Sequence, residues 1–224
     1  MKLLHVQFRA MTATFKVPFV NSGVLVSLPV PAYSTIVGLI SCCKGMPIKP
    51  GETLIGYGYT YEARGRDLER TKRFETDKKG FLIPNREDGI VTREFHINPV
   101  LDLYLSNTDL KEYFFRPVGV PALGRSQDLA WITEVRIIEA TETTKGYLKP
   151  TLIPFPCASF GGRIIRLTDY YDNNSTGVLR KPRNMRLYQI VPPKPDGVFV
   201  ENITLQCIDK ESNSAVYMHK YGDE

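Results

Sequence analysis

Residues 63–94 constrain the fold more than any other part of this chain. Apolar residues are rare there until Phe81-Leu82-Ile83. Residues 64–79 carry seven cations (Arg64, Arg66, Arg70, Lys72, Arg73, Lys78, Lys79) against four acids. Gly80 and Asp88-Gly89 punctuate two turns. A stretch this polar cannot join a core, so it must project, as a long hairpin or as a loop that a ligand orders. The segments on either side do have core character. Thr53–Glu62 alternates, with Tyr57, Tyr59 and Tyr61 opposite Gly56, Gly58 and Thr60, and Val91–Ile97 reads as the returning strand. The three tyrosines suit either base stacking or packing on a core.

The rest of the chain is organised around that excursion. Residues 2–10 alternate as a first strand with Leu4, Val6 and Phe8 on one face, and residues 24–30 form a second extended piece. Pro31 ends that piece, Ser34 or Thr35 offers a cap, and Ile36, Val37, Leu39, Ile40 and Cys43 follow at helical spacing up to Gly45. Asn107-Thr108-Asp109 caps a short helix running to about Phe115. Leu129–Glu139 is a strand with Trp131, Thr133, Val135 and Ile137 on one face. Residues 141–224 show short extended pieces between Pro and Asn/Gly turns. The order β, helix, β, excursion, β, helix, β predicts an α+β chain: a ferredoxin-like split βαβ domain over 1–140, then a small β-rich domain over 141–224.

At 224 residues, 42% hydrophobic and 24% charged, the composition is that of a globular chain and excludes a disordered one. The net charge of +5 excludes a histone-like polycation. It also conceals an asymmetry: residues 145–194 hold nine cations and two acids. Arg163, Arg166, Arg180, Lys181, Arg183 and Arg186 are interleaved there with Tyr147, Tyr170, Tyr171 and Tyr188, a mixture of phosphate-matching forks and stacking rings. A solvated basic surface is the alternative. The N-terminus is polar too early for a signal peptide, and the apolar stretch from Val24 to Ile40 is broken by Pro29 and Pro31, so a cytoplasmic chain without membrane contact is expected. The four cysteines have no C-x-x-C spacing and read as reduced thiols.

Enzyme signatures are absent: no H-E-x-x-H, no G-x-S-x-G, no Walker A, and Gly56-Tyr57-Gly58 lacks the third glycine of a dinucleotide loop. No metal site and no cofactor are expected. A metal-free ribonuclease using His, Lys and Tyr remains open through His96, as does a histidine simply packed in a strand.

Two groups of motifs occur together. Phe15-Lys16-Val17-Pro18 precedes Leu28-Pro29-Val30-Pro31 and Ser34-Thr35-Ile36-Val37-Gly38-Leu39-Ile40, and Leu123-Gly124-Arg125-Ser126-Gln127-Asp128-Leu129-Ala130 follows much later. The pairing resembles the RAMP-superfamily subunit of type I CRISPR Cascade complexes that binds the 5′ handle of the guide crRNA, the type I-B branch most of all. The resemblance implies a ferredoxin-like (RRM-like) palm with a thumb hairpin, here 63–94, and a small β domain. It implies a non-catalytic role beside the Cascade backbone and large subunits, with target DNA met through the complex. The type I-C branch includes a repeat-cutting ribonuclease, but the excursion exit here, Thr92-Arg93-Glu94-Phe95-His96, lacks a Lys-His pair.

Physical chemistry then selects the RNA-binding candidates. Gly124, Arg125, Ser126 and Gln127 form a loop whose backbone N–H groups, guanidinium fork and hydroxyl suit a phosphate. Ser34 and Thr35 mark a helix N-terminus, a second anion site. Lys16 lies in the first motif. Arg64, Arg66, Arg70, Lys72, Arg73 and Arg93 line the excursion, and Arg180, Lys181 and Arg183 form a diffuse basic field. For Gly38, close helix packing is the expectation.

Overall fold

The alternating N-terminus forms strand β1 (Lys2–Ala10), and the chain then enters helix α1 (Tyr33–Lys44). Strands β2 (Ile55–Thr60) and β3 (Val100–Leu105) follow, then the short helix α2 (Lys111–Phe115) and strand β4 (Ala130–Glu139). These four strands make one sheet in the order β4-β1-β3-β2, with every neighbouring pair antiparallel. The structure is a computed structural model and describes residues 1–18, 20, 23–72, 74–84, 89–172 and 180–222. It is a mixed α+β, strand-rich fold with few helices.

Helix α1 begins two residues earlier than a Ser34 cap requires and three earlier than a Thr35 cap requires. Pro31 keeps the chain extended, and Ala32 is the N-cap with no side-chain cap bond. Its carbonyl accepts from the N–H groups of Thr35 (2.9 Å) and Ile36 (3.2 Å). Ser34 and Thr35 therefore sit inside the first turn with neither hydroxyl acting as a cap. The far end follows expectation: Gly45 is left-handed, with φ 76°. Asn107 caps the second helical segment, its side chain accepting from the Asp109 N–H.

The core lies between the sheet and α1. Leu4, Val6 and Phe8 meet Ile36 and Ile40 there, together with Tyr57 and Tyr59, which are buried almost completely. Burial settles the tyrosine question in favour of packing. The Tyr57 hydroxyl donates to the Pro31 carbonyl (2.6 Å), and the Tyr59 hydroxyl pairs with His96 Nδ1 (2.8 Å). Leu152, Leu167, Tyr188, Ile190 and Tyr221 enter the same core, so residues beyond 140 help to build it. A smaller cluster of Leu148, Ile153, Val191, Val198, Val200 and Leu205 adjoins it.

Strand β4 departs from simple alternation. Gln7 of β1 faces Glu134, but Phe8 faces Ile132, which leaves Thr133 as a bulge. One extra residue reverses the faces, so Ile132 and Val135 pack on the core while Trp131 is exposed on the opposite face. Trp131, Thr133, Val135 and Ile137 therefore do not share one face.

The polar excursion is a hairpin of Ala63–Thr71 against Gly89–Ile97, extended by Phe74–Thr76 against Leu82–Pro84. Among its apolar side chains, Leu68, Phe74, Phe81, Leu82, Ile83 and Ile90 are exposed. The free edge of Gly89–Ile97 is covered by Thr12–Ala13 and by Val24–Leu25, the only part of the 24–30 piece that is a strand. Beyond β4, Leu152–Pro154, Lys181–Ile190 and Ile164–Asp172 form one sheet, and Thr141–Leu148, Val198–Asp209 and Ser214–Val216 pair with one another. The four cysteines form no disulfide; Cys43 is buried and the others are half-buried. Among the described residues, no helix is long and apolar enough to cross a membrane, and no group of three metal-ligating side chains is close enough to hold an ion.

Candidate nucleic-acid interface

A cleft of about 840 Å³ opens where four elements meet. One wall is α1, contributing Ser34, Thr35, Gly38 and Cys42; the segment Thr14–Lys16 and the loop with Gly124 and Arg125 form a second. Arg93 reaches in from the hairpin, Arg166, Thr168, Tyr171 and Met185 come from the sheet after residue 140, and Arg180 stands just before the strand Lys181–Ile190. The cleft thus gathers Lys16, Ser34, Thr35, Arg93, Gly124, Arg125 and Arg180, seven candidates drawn from every part of the sequence.

Its charges differ in what they already hold. Lys16, Arg166 and Arg180 are exposed, and among the described residues none has an ion-pair partner. Arg93 is paired through Nε with Glu69. Arg125 is not a free fork. Its Nε and Nη2 donate to Asp128 at 3.0 and 2.9 Å, and Nη1 lies 3.9 Å from Glu69. Burial alone would raise the Asp128 carboxyl, but hydrogen bonds from Arg125 and Thr12 outweigh it and hold the group below the usual carboxylate range. The phosphate-cradle reading of Gly124 also changes. Gly124 has φ 110°, and a Cβ there would lie 1.8 Å from the Thr14 carbonyl oxygen. Glycine is required there by the close approach of two chain segments.

The remaining candidates lie outside the lining. Ser126 and Gln127 are exposed on the turn beyond Arg125. At the hairpin base, Arg64 and Arg66 flank the buried Glu94 at 3.8 and 4.0 Å, and Arg64 also donates to the Tyr61 hydroxyl. Arg70 and Lys72 are exposed farther along the hairpin, and Arg73 lies outside the described residues. Lys181 is exposed at its strand end, while Arg183 pairs with Asp172 at 3.1 Å.

Arg166 belongs to the basic stretch 145–194 and is not among the RNA-binding candidates of the sequence. The signal was alternation: Arg166 and Thr168 stand two apart on one strand, opposite Leu187 and Met185, so they share the face that meets the cleft. Gly38 reverses its expectation. It is exposed on the cleft wall, and a Cβ there would meet nothing within 4 Å.

His96 lies deep, fully buried and stacked on Tyr61 at a centroid distance of 3.9 Å. Burial, helped by the positive charge of Arg64, lowers its pKa to about 4. The unfolded chain takes up a proton at His96 where the folded chain does not. This histidine therefore makes the protein less stable as pH falls from 6.5 toward about 4. We expect the His96 imidazole resonance to show the neutral form still at about pH 6; a half-protonated ring there would contradict the burial.

No family model matches the sequence, and no curated protein does. Among solved structures, a chain of a CRISPR RNA-guided surveillance complex superposes with a TM-score of 0.55 at 14% identity, covering 88% of this chain and 91% of that one. A CRISPR protein from Archaeoglobus fulgidus (TM-score 0.47, 9% identity, 98% of this chain and 100% of that one) and a Cas protein (0.43, 14%, 95% and 98%) superpose too loosely to carry an argument. This chain therefore shares its fold with a chain of an RNA-guided CRISPR complex.

Proposed function

We propose that this protein is a non-catalytic RNA-binding and assembly subunit of a CRISPR Cascade effector of type I-B character, and that it caps the 5′ handle of the guide crRNA. The observation that carries this is the cleft, where cations from three separate segments have no ion-pair partner among the described residues and stand beside a helix N-terminus and the Tyr171 ring. Such a groove suits a single-stranded polyanion whose bases need stacking faces. The sheet order β4-β1-β3-β2 with a helix in each crossover supports reading 1–140 as a ferredoxin-like palm and 141–224 as the smaller β-rich part. The exposed hairpin acts as the thumb, and its bare apolar side chains and cations meet the backbone and large subunits of the complex. Target DNA is met only through that assembly. The shared fold with a surveillance-complex chain supports this reading.

The alternative, a metal-independent repeat endoribonuclease, would need an accessible acid or base. His96, the histidine nearest the hairpin exit, has no exposed surface and is neutral at pH 7. Purified protein incubated with labelled repeat RNA in chelator is expected to bind the RNA and leave it intact. Specific cleavage that His96→Ala abolishes would overturn the non-catalytic reading.

A further inference from the structure

We infer that the α1 wall of the cleft is shaped for the close passage of a single strand's ribose–phosphate backbone, with Gly38 as the point of nearest approach. This rests on the reading of the cleft as the RNA site. Ser34, Gly38 and Cys42 stand at i, i+4 and i+8 and all line the cleft, so a stripe of small side chains faces it. Glycine inside a helix is less stable than alanine, so it needs a reason. Its neighbours have one: a Cβ on Gly45 would lie 2.7 Å from Val118, and one on Gly119 would lie 2.7 Å from the Cys42 sulfur. Gly38 has no such contact, and the free protein gains nothing from leaving it bare.

A second, independent wall position shows the same pattern. Thr14 also lines the cleft, 5% exposed, and its hydroxyl is buried without a hydrogen-bond partner. A buried hydroxyl left unpaired is destabilising. At two positions on one cleft, then, the chain forgoes stability that a single substitution would restore, as binding sites do. Lys16, Arg166 and Arg180, without an ion-pair partner among the described residues, give the sign of the ligand. A polyanion that carries hydroxyl groups and must come close to a helix surface matches all three observations.

The test uses the full chain, a labelled single-stranded repeat RNA, and two readouts, melting temperature and RNA Kd. Gly38→Ala should raise Tm by about 2–4 °C and still weaken RNA binding. Gly38→Leu should weaken it about tenfold or more. Thr14→Val should hold or raise Tm while weakening RNA binding. If Gly38→Leu binds within about twofold of the parent while loss of Lys16, Arg166 and Arg180 weakens binding, the close-passage inference is wrong and the cleft reading stands. If neither change weakens binding, both fall. A lower Tm in Gly38→Ala would give the glycine a folding role and also overturn the inference.

Discussion

Gly124→Ala is expected to destabilise the protein by about 3–5 kcal/mol, a fall in Tm of roughly 10 °C, with strain at a positive φ and overpacking contributing comparable amounts. The φ of 110° is one that a side chain adopts only under strain, and the new Cβ would stand 1.8 Å from the Thr14 carbonyl oxygen. Neither segment can readily retreat. The Thr14 N–H donates to the Leu123 carbonyl (3.1 Å), and the Thr12 hydroxyl donates to the buried Asp128 (2.6 Å), which is itself held by Arg125. Gly161, whose Cβ would meet nothing within 4 Å, is the control; its alanine variant should stay within about 0.5 kcal/mol of the parent. Thermal melts of both variants decide it. A Gly124→Ala variant that melts within about 2 °C of the parent would mean the two segments do not approach as described.

Removing Lys16, Arg166 and Arg180 together should cost repeat-RNA binding about 100-fold or more, taking roughly 1–2 kcal/mol for each charged contact. It should also flatten the dependence of log K on log salt by about two units, since a single strand releases about 0.7 counterion per neutralised phosphate. A second triple variant separates held charge from free charge. Arg64, Arg66 and Arg183 have the same formal charge, but Glu94 and Asp172 already face them. Their loss should change the slope by about one unit or less. Equal slopes for the two triple variants would show that the cleft is not where the strand lies. For Arg125, stability is the larger expectation, because its removal strands the buried Asp128.

Local signals were sufficient for the elements. Alternation placed β1, proline and glycine bracketed α1, Asn107 marked the cap of the second helical segment, and the poverty of apolar residues in 63–94 foretold a projecting hairpin or loop, which the structure shows as a hairpin. Each is a property of neighbours along the chain, set by backbone sterics and by how much apolar surface a segment can bury. The site was legible only as residue types. Lys16, Ser34, Arg93, Gly124 and Arg180 could be suspected, but their convergence on one cleft depends on contacts across more than a hundred residues.

What tertiary structure alone decided was which of these groups are already occupied. Arg125 was spent on Asp128, Tyr57 and Tyr59 went to the core, and the Thr133 bulge exchanged the faces of β4. Two glycines in the same pair of motifs parted company: Gly124 is pressed against Thr14, while Gly38 faces open space. A sequence carries the charge, size and spacing of each side chain. Whether a guanidinium is free, or a missing Cβ leaves a void or averts a clash, depends on what the folded chain brings within a few ångströms of it, and no local pattern encodes that partner.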